Sequence, residues 1–238
     1  APAIAINESG TAMAVWWQSD GTRNNIWANR YRVGIGWDGP QLIETENLGN
    51  ADKPHVAVDA SGNAIAVWQQ SDGTRNNIWA NRYNAATGWI LAQKIETGDG
   101  DAYGPDVAVD SNGNAVAVWR QHNGTINTIQ ANRYLAGTSW GTAERIENNT
   151  GNGNNPRVAV DSSGNAVAVW KQYDGTRDNI WANHYVAGVG WSTEQLIETL
   201  NLGLATSPAI AITPTGDAVS VWYQHDGTRY NIMSNRRE

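Results

Sequence analysis

Hydrophobic and polar positions alternate along most of this chain, in short runs broken by Gly, Asn, Asp and Ser. The stretch 63–83, NAIAVWQQSDGTRNNIWANRY, carries the pattern most clearly. Ala64, Ala66 and Trp68 fall on one side of an extended backbone, and Ile65 and Val67 on the other. A period of two, bounded by turn residues, is the signature of strands joined by hairpins. The pattern predicts strands at 55–59, 64–70, 77–83 and roughly 92–96, with turns at 59–63, 71–75 and 87–89. Asp72-Gly73 at the centre of the second turn is a strong hairpin signal.

The same stretch returns at 11–31, 114–134, 165–185 and 217–237, and its Trp recurs at Trp16, Trp68, Trp119, Trp170 and Trp222. A repeat of 51 or 52 residues with four strands in each copy predicts an all-β, five-bladed β-propeller with four-stranded antiparallel blades. Both faces of a strand are apolar because each blade is covered on both sides. The repeats divide a single domain, 1–238, into 1–53, 54–104, 105–155, 156–207 and 208–238. Pro54, Pro105, Pro156 and Pro208 stand just ahead of the first strand of a repeat, where a missing N–H costs no ladder bond. The fifth repeat has no Gly-Trp turn and no fourth strand. Its blade is therefore expected to lack the outer strand and to offer an open edge for self-association.

Composition narrows the function classes. A net charge of −7 without a basic stripe excludes nucleic acid as a partner. Zero Cys leaves no disulfide and no thiolate metal site. No apolar run reaches the length of a membrane span. Low charge and loops of Asn, Gly, Ser and Thr point to a secreted or cell-surface location.

Several repeated residues carry candidate chemistry. Asp59, Asp110 and Asp161 invite a catalytic or calcium reading, but Asn7 and Thr213 hold the same position, and all of these side chains cap turns. Arg23, Arg75, Arg177 and Arg229 follow the Asp-Gly-Thr of the second turn. Repeat three has lost both this Arg, to Ile126, and the Trp of its third strand, to Gln130. Joint loss fits one ligand site shared by Arg and Trp; the alternative is an exposed Arg stacked on its Trp for packing alone. Asn29, Asn81, Asn132, Asn183 and Asn235 hold one mid-strand position, either facing a polyol or bonding the neighbouring blade. The candidate ligand-binding set is Arg23, Trp27, Asn29, Arg75, Trp79, Asn81, Arg177, Trp181, Asn183, Arg229 and Asn235. Trp37, Trp89, Trp140 and Trp191 fit stacking on sugars or filling of gaps. Glu44, Glu96, Glu147 and Glu198 are expected to form exposed pairs with Arg30, Arg82, Arg133 and His184. No metal, cofactor or catalytic residue is assigned.

The rhythm Asn77-Ile-Trp79 followed by Gly88-Trp89 resembles that of repeat-built β-propeller lectins, the five-bladed tachylectin type above all. The DxSGN turn is unlike the sialidase Asp-box in its spacing to Trp68. The resemblance implies glycan partners held between blades and a multivalent, non-enzymatic carbohydrate-binding module. Two other readings stay open: a structural or adhesive repeat of a secreted assembly, and a glycoside hydrolase, which needs two carboxylates in unlike settings.

Overall fold

A computed structural model describes residues 1–46, 48–199 and 203–237. The described residues form β-strands and turns with no helix, arranged as five antiparallel sheets in chain order. Each sheet has an inner, a middle and a third strand. In the first these are Ala3–Ile6, Ala12–Ser19 and Asn24–Arg32. The second has Ala51–Val58, Ala64–Ser71 and Asn76–Asn84, and the third Ala102–Val109, Ala115–His122 and Asn127–Tyr134. The fourth has Gly153–Val160, Ala166–Tyr173 and Asp178–Val186; the fifth has Ala205–Ile212, Ala218–His225 and Tyr230–Arg237.

The outer edge differs from the single fourth strand that the pattern predicts. In the second sheet two short rungs, Gly88–Trp89 and Gln93–Lys94, both pair with the third strand, at Tyr83–Asn84 and at Trp79–Ala80. The fifth sheet has three strands. The inner strand of the second sheet starts at Ala51, four residues before the predicted start. It passes Pro54 through a bulge between Asp52 and His55, with Lys53 in the left-handed region at φ 48°. The bulge removes the demand for an N–H at the proline.

Successive sheets pack face to face, and the repeat supplies the same residues to each seam. Between the first and second sheets, Met13, Val15, Ile26, Ala28 and Ile43 meet Val56, Ala64, Ala66 and Trp68. Between the second and third, Ile65, Val67, Ile78, Ala80 and Ile95 meet Val107, Ala115, Ala117 and Trp119. The pattern is one large ring opposite small and β-branched side chains, which lets the backbones approach while the volume stays filled. Linker glycines complete the fit: a Cβ on Gly151 would collide with the Tyr173 carbonyl.

Four seams join the five sheets. The faces that a fifth seam would bring together are open. On the first sheet Ile4 is 65% exposed, whereas its counterparts Val56 and Val107 are buried, and Ile6 is 67% exposed, whereas its counterparts Val58 and Val109 are half-buried. On the fifth, Val219 and Ile232 are 44% and 66% exposed, whereas the matching Val167 and Ile180 are buried. None of the hydrophobic clusters among the described residues joins the first sheet to the fifth.

Candidate functional site

The residues singled out from the repeat lie along the seams, and most have partners there. Asn81 donates its amide to the Ile43 carbonyl of the preceding sheet at 2.7 Å and to the Ile90 carbonyl at 3.0 Å. Asn132, Asn183 and Asn235 reach back to Ile95, Ile146 and Ile197 at 2.8, 2.7 and 2.6 Å. Asn29 instead accepts from the Gly39 amide at 2.9 Å. Trp27, Trp79 and Trp181 stand in register beside Trp16, Trp68 and Trp170 on the neighbouring strand. Arg229 is exposed beside Asp226. These residues are spread around the seams and do not converge on one cleft.

The expected partnership of the outer glutamates is corrected by the structure. Glu44, Glu96, Glu147 and Glu198 are buried, not exposed. The two-residue rung preceding each one carries it inward beside the third strand, so that Ile26 donates its amide to Glu44 at 3.0 Å. Arg75 of the turn comes within 3.7 Å of Glu96 and also bonds the Gly98 carbonyl. In repeat three, where the turn Arg is Ile126, Arg145 takes its place and grips Glu147 at 2.8 and 3.0 Å. Gln121 and Gln172 of the following sheets donate to Glu96 and Glu147 at 3.0 and 3.1 Å, and accept from the Trp119 and Trp170 ring N–H. Arg30, Arg82 and Arg133 reach across the next seam to the hydroxyls of Tyr83, Tyr134 and Tyr185. His184 lies beside Arg237 at 2.8 Å. The tryptophans after Gly are likewise occupied: Trp37, Trp89 and Trp191 sit edge-to-face on Tyr31, Tyr83 and Tyr185.

Burial pushes Glu44 and Glu198 up to about 7, with Arg23 and Arg177 offsetting part of the shift. Both carboxyls keep a proton in the folded protein at pH values where the unfolded chain has lost it. Stability should therefore fall as pH rises from about 4.5 to about 7 and level off above. Thermal melting across that range checks this: Tm is expected to be highest near pH 5, and the slope to vanish in Glu44→Gln/Glu198→Gln. An unchanged slope in the double variant would assign the effect elsewhere.

The aspartates Asp59, Asp110 and Asp161 close their turns. Asp59 accepts from the Ser61 and Asn63 amides at 2.8 and 2.9 Å and from the Asn63 side chain at 2.8 Å. Gly62 supplies the positive φ, 81°, that the turn requires. Asp20 does the same at the second turn, and the Arg23 and Thr22 amides and the Asn25 side chain hold its carboxyl at about 2. No cluster of His, Asp and Glu among the described residues has the geometry of a metal site.

A different set of residues converges at the inner ends of the sheets. There the first strands of four sheets frame a basin of about 350 Å³, whose lining includes Lys53, His55, Tyr103, Arg120, Asn155 and Arg157. His55 Nδ1 lies 2.9 Å from Asp106, whose second oxygen accepts the Val158 amide at 3.0 Å. The Arg120 guanidinium lies over the Tyr103 ring at 4.8 Å and donates to Asn154 at 2.6 Å. Asn76 donates to the Tyr103 hydroxyl at 3.1 Å. Beneath them Pro54, Pro105 and Pro156 are buried, each following a left-handed residue: Lys53, Gly104 or Asn155, with φ of 48°, 58° and 53°. The same left-handed residue precedes Pro208 at Ser207, φ 54°, so this backbone belongs to the repeat.

A search for residues shared by all repeats misses this basin, because the basin is made of those that differ. The position after the proline reads Ala3, His55, Asp106, Arg157 and Ala209, and the one after the seam Trp reads Trp17, Gln69, Arg120, Lys171 and Tyr223. Two residues away, the core positions hardly change. Departure from the repeat at neighbouring inner positions was the available signal.

Neither the protein-family models nor the curated proteins contain a match to this chain. Solved structures do resemble it. An endo-arabinase from Bacteroides thetaiotaomicron is 13% identical with a TM-score of 0.56, over 100% of this chain and 93% of the other. An α-L-arabinanase from Penicillium chrysogenum is 13% identical with a TM-score of 0.64, over 97% and 79%. A polysaccharide lyase, PL25 ulvan lyase, is 9% identical with a TM-score of 0.65, over 98% and 68%. The propeller expectation stands on these likenesses, while the neighbours are glycoside hydrolases and a lyase, not tachylectin-type lectins. The expectation of a non-enzyme is corrected by the same finding, since solved structures that share this architecture are hydrolases and a lyase. At such identities the likeness establishes one thing: the chain has the β-propeller fold.

Proposed function

We propose that the protein binds polysaccharide, and that the inner basin is where it does so. The carrying observation is the convergence of His55, Tyr103, Arg120 and Arg157, contributed by different repeats, at inner positions where the repeats differ from each other. A flat Tyr–Arg pair beside amide and imidazole groups offers an apolar face and directional hydrogen bonds, which is what a sugar ring requires. The arabinanase and lyase neighbours are named for their action on carbohydrate, which supports the same class of ligand. Repeated sites at the seams, built on Arg75, Trp79, Asn81 and their counterparts, are the rival arrangement for the same ligand. Their groups are spread over several seams, with Asn81 bound to two backbone carbonyls, whereas the basin brings several side chains to one hollow.

A second reading adds catalysis. His55 is held by Asp106 at 2.9 Å, and an imidazole oriented by a carboxylate is a ready proton carrier. The substrate would then be cleaved in the basin by proton transfer through His55.

Affinity electrophoresis against a panel of soluble polysaccharides tests the proposal. Tyr103→Ala is expected to weaken retention roughly tenfold, equivalent to about 1.4 kcal/mol, while Trp79→Ala leaves it unchanged. The reverse ranking would move the site to the seams, and no retention by any polymer would end the carbohydrate reading. Release of chain ends from a retained polymer, lost in His55→Ala, would establish the catalytic reading.

A further inference from the structure

The basin is the place where an acidic protein gathers cations. The chain carries 23 Asp and Glu against 16 Lys and Arg, yet Lys53, Arg120 and Arg157 line one 350 Å³ hollow, each from a different repeat. The repeat does not fix charge at these positions: Gly104, Asn155 and Ser207 stand for Lys53, Trp17, Gln69, Lys171 and Tyr223 for Arg120, and Ala3, His55, Asp106 and Ala209 for Arg157. The seams do not need these charges.

The two guanidinium groups are held in place, and the lysine is held at its backbone. Arg120 is pinned flat by Tyr103 and Asn154, and its buried Nε has no partner. Arg157 spends one Nη1 bond on the Pro156 carbonyl, at 2.9 Å. Lys53 is exposed on a left-handed backbone fixed by the proline that follows. Their natural counter-charges are committed elsewhere. Asp106 is engaged with His55 and the Val158 amide. Burial pushes the Asp52 carboxyl up, and the neighbouring Lys53 acts against that shift.

We infer that the basin selects a polysaccharide bearing carboxylate or sulfate groups, with Lys53, Arg120 and Arg157 as the anion-recognising residues. This rests on the basin being the carbohydrate site. A negatively charged chain would otherwise be repelled by a protein of net charge −7, so the cationic hollow both steers the polymer and rejects neutral competitors. The planar guanidinium groups suit bidentate contact with a carboxylate or sulfate, and Lys53 acts as a point charge.

The test is a calorimetric titration of the whole chain with four probes. Polygalacturonate and carrageenan carry carboxylate and sulfate; carboxyl-reduced polygalacturonate and arabinan are neutral. At least one anionic polymer is expected to bind roughly tenfold or more tighter than either neutral one, with affinity falling steeply as salt is raised. In Lys53→Ala/Arg157→Ala that preference should collapse to about equal binding, with Tm unchanged because neither side chain fills the core. Whichever of the two anionic polymers leads identifies the group recognised. Equal binding of reduced and unreduced polymer would overturn the anionic preference and leave the carbohydrate site standing. Failure of all four to bind would remove both.

Discussion

Replacing Trp119 by alanine is expected to destabilise the fold by about 4 kcal/mol and to lower Tm by on the order of 10 °C. The indole is fully buried between the second and third sheets, against Ile65, Val67, Ile78 and Ala80. Removing it leaves a cavity that rigid strands on either side do not close. It also orphans Gln121 Oε1, which the ring N–H satisfies at 3.0 Å, and so loosens the amide that supports Glu96 at 3.0 Å. The control is Trp37→Ala, whose ring is 50% exposed at the outer edge; its cost is expected below about 1 kcal/mol. Urea denaturation followed by fluorescence measures both. Equal costs would mean that the seams do not carry the stability.

Arg145→Ala is the second large effect, about 3 kcal/mol. Glu147 is 1% exposed, and the Arg145 guanidinium is its charge partner at 2.8 and 3.0 Å. Loss of that partner leaves a buried carboxylate with little beyond the Gln172 amide. The other repeats bring their Arg from the turn, and Ile126 occupies that place here. Ile126→Arg alone should change little, yet combined with Arg145→Ala it should recover at least half of the loss. Such rescue would show that the guanidinium has moved between elements while its role stayed the same. A double variant as unstable as Arg145→Ala would refute that equivalence.

Much of the fold was legible because a seam asks for the same residues each time. Trp68, Trp119 and Trp170 face small side chains in every copy, so period and strand order were written in plain repetition. The partner of the buried glutamates was not. Its place depends on a rung of two residues, Gln93–Lys94, pairing back on Trp79–Ala80, and no local pattern marks so short a ladder. Nor was the open face between the fifth sheet and the first, because the rotation from one sheet to the next is a sum of small packing choices. The basin escaped for a third reason. Repetition drew the eye to Arg75, Trp79 and Asn81, while His55, Asp106 and Arg157 share a position and nothing else.

The asparagine clamps all point one way. Asn81, Asn132, Asn183 and Asn235 each bind a carbonyl belonging to the sheet before their own. During synthesis, then, a sheet leaving the ribosome is not finished by its own residues. It is fastened when the following one arrives, about fifty residues later. Order is handed down the nascent chain like a zip with a single direction, and the wall most recently made is always the one still waiting.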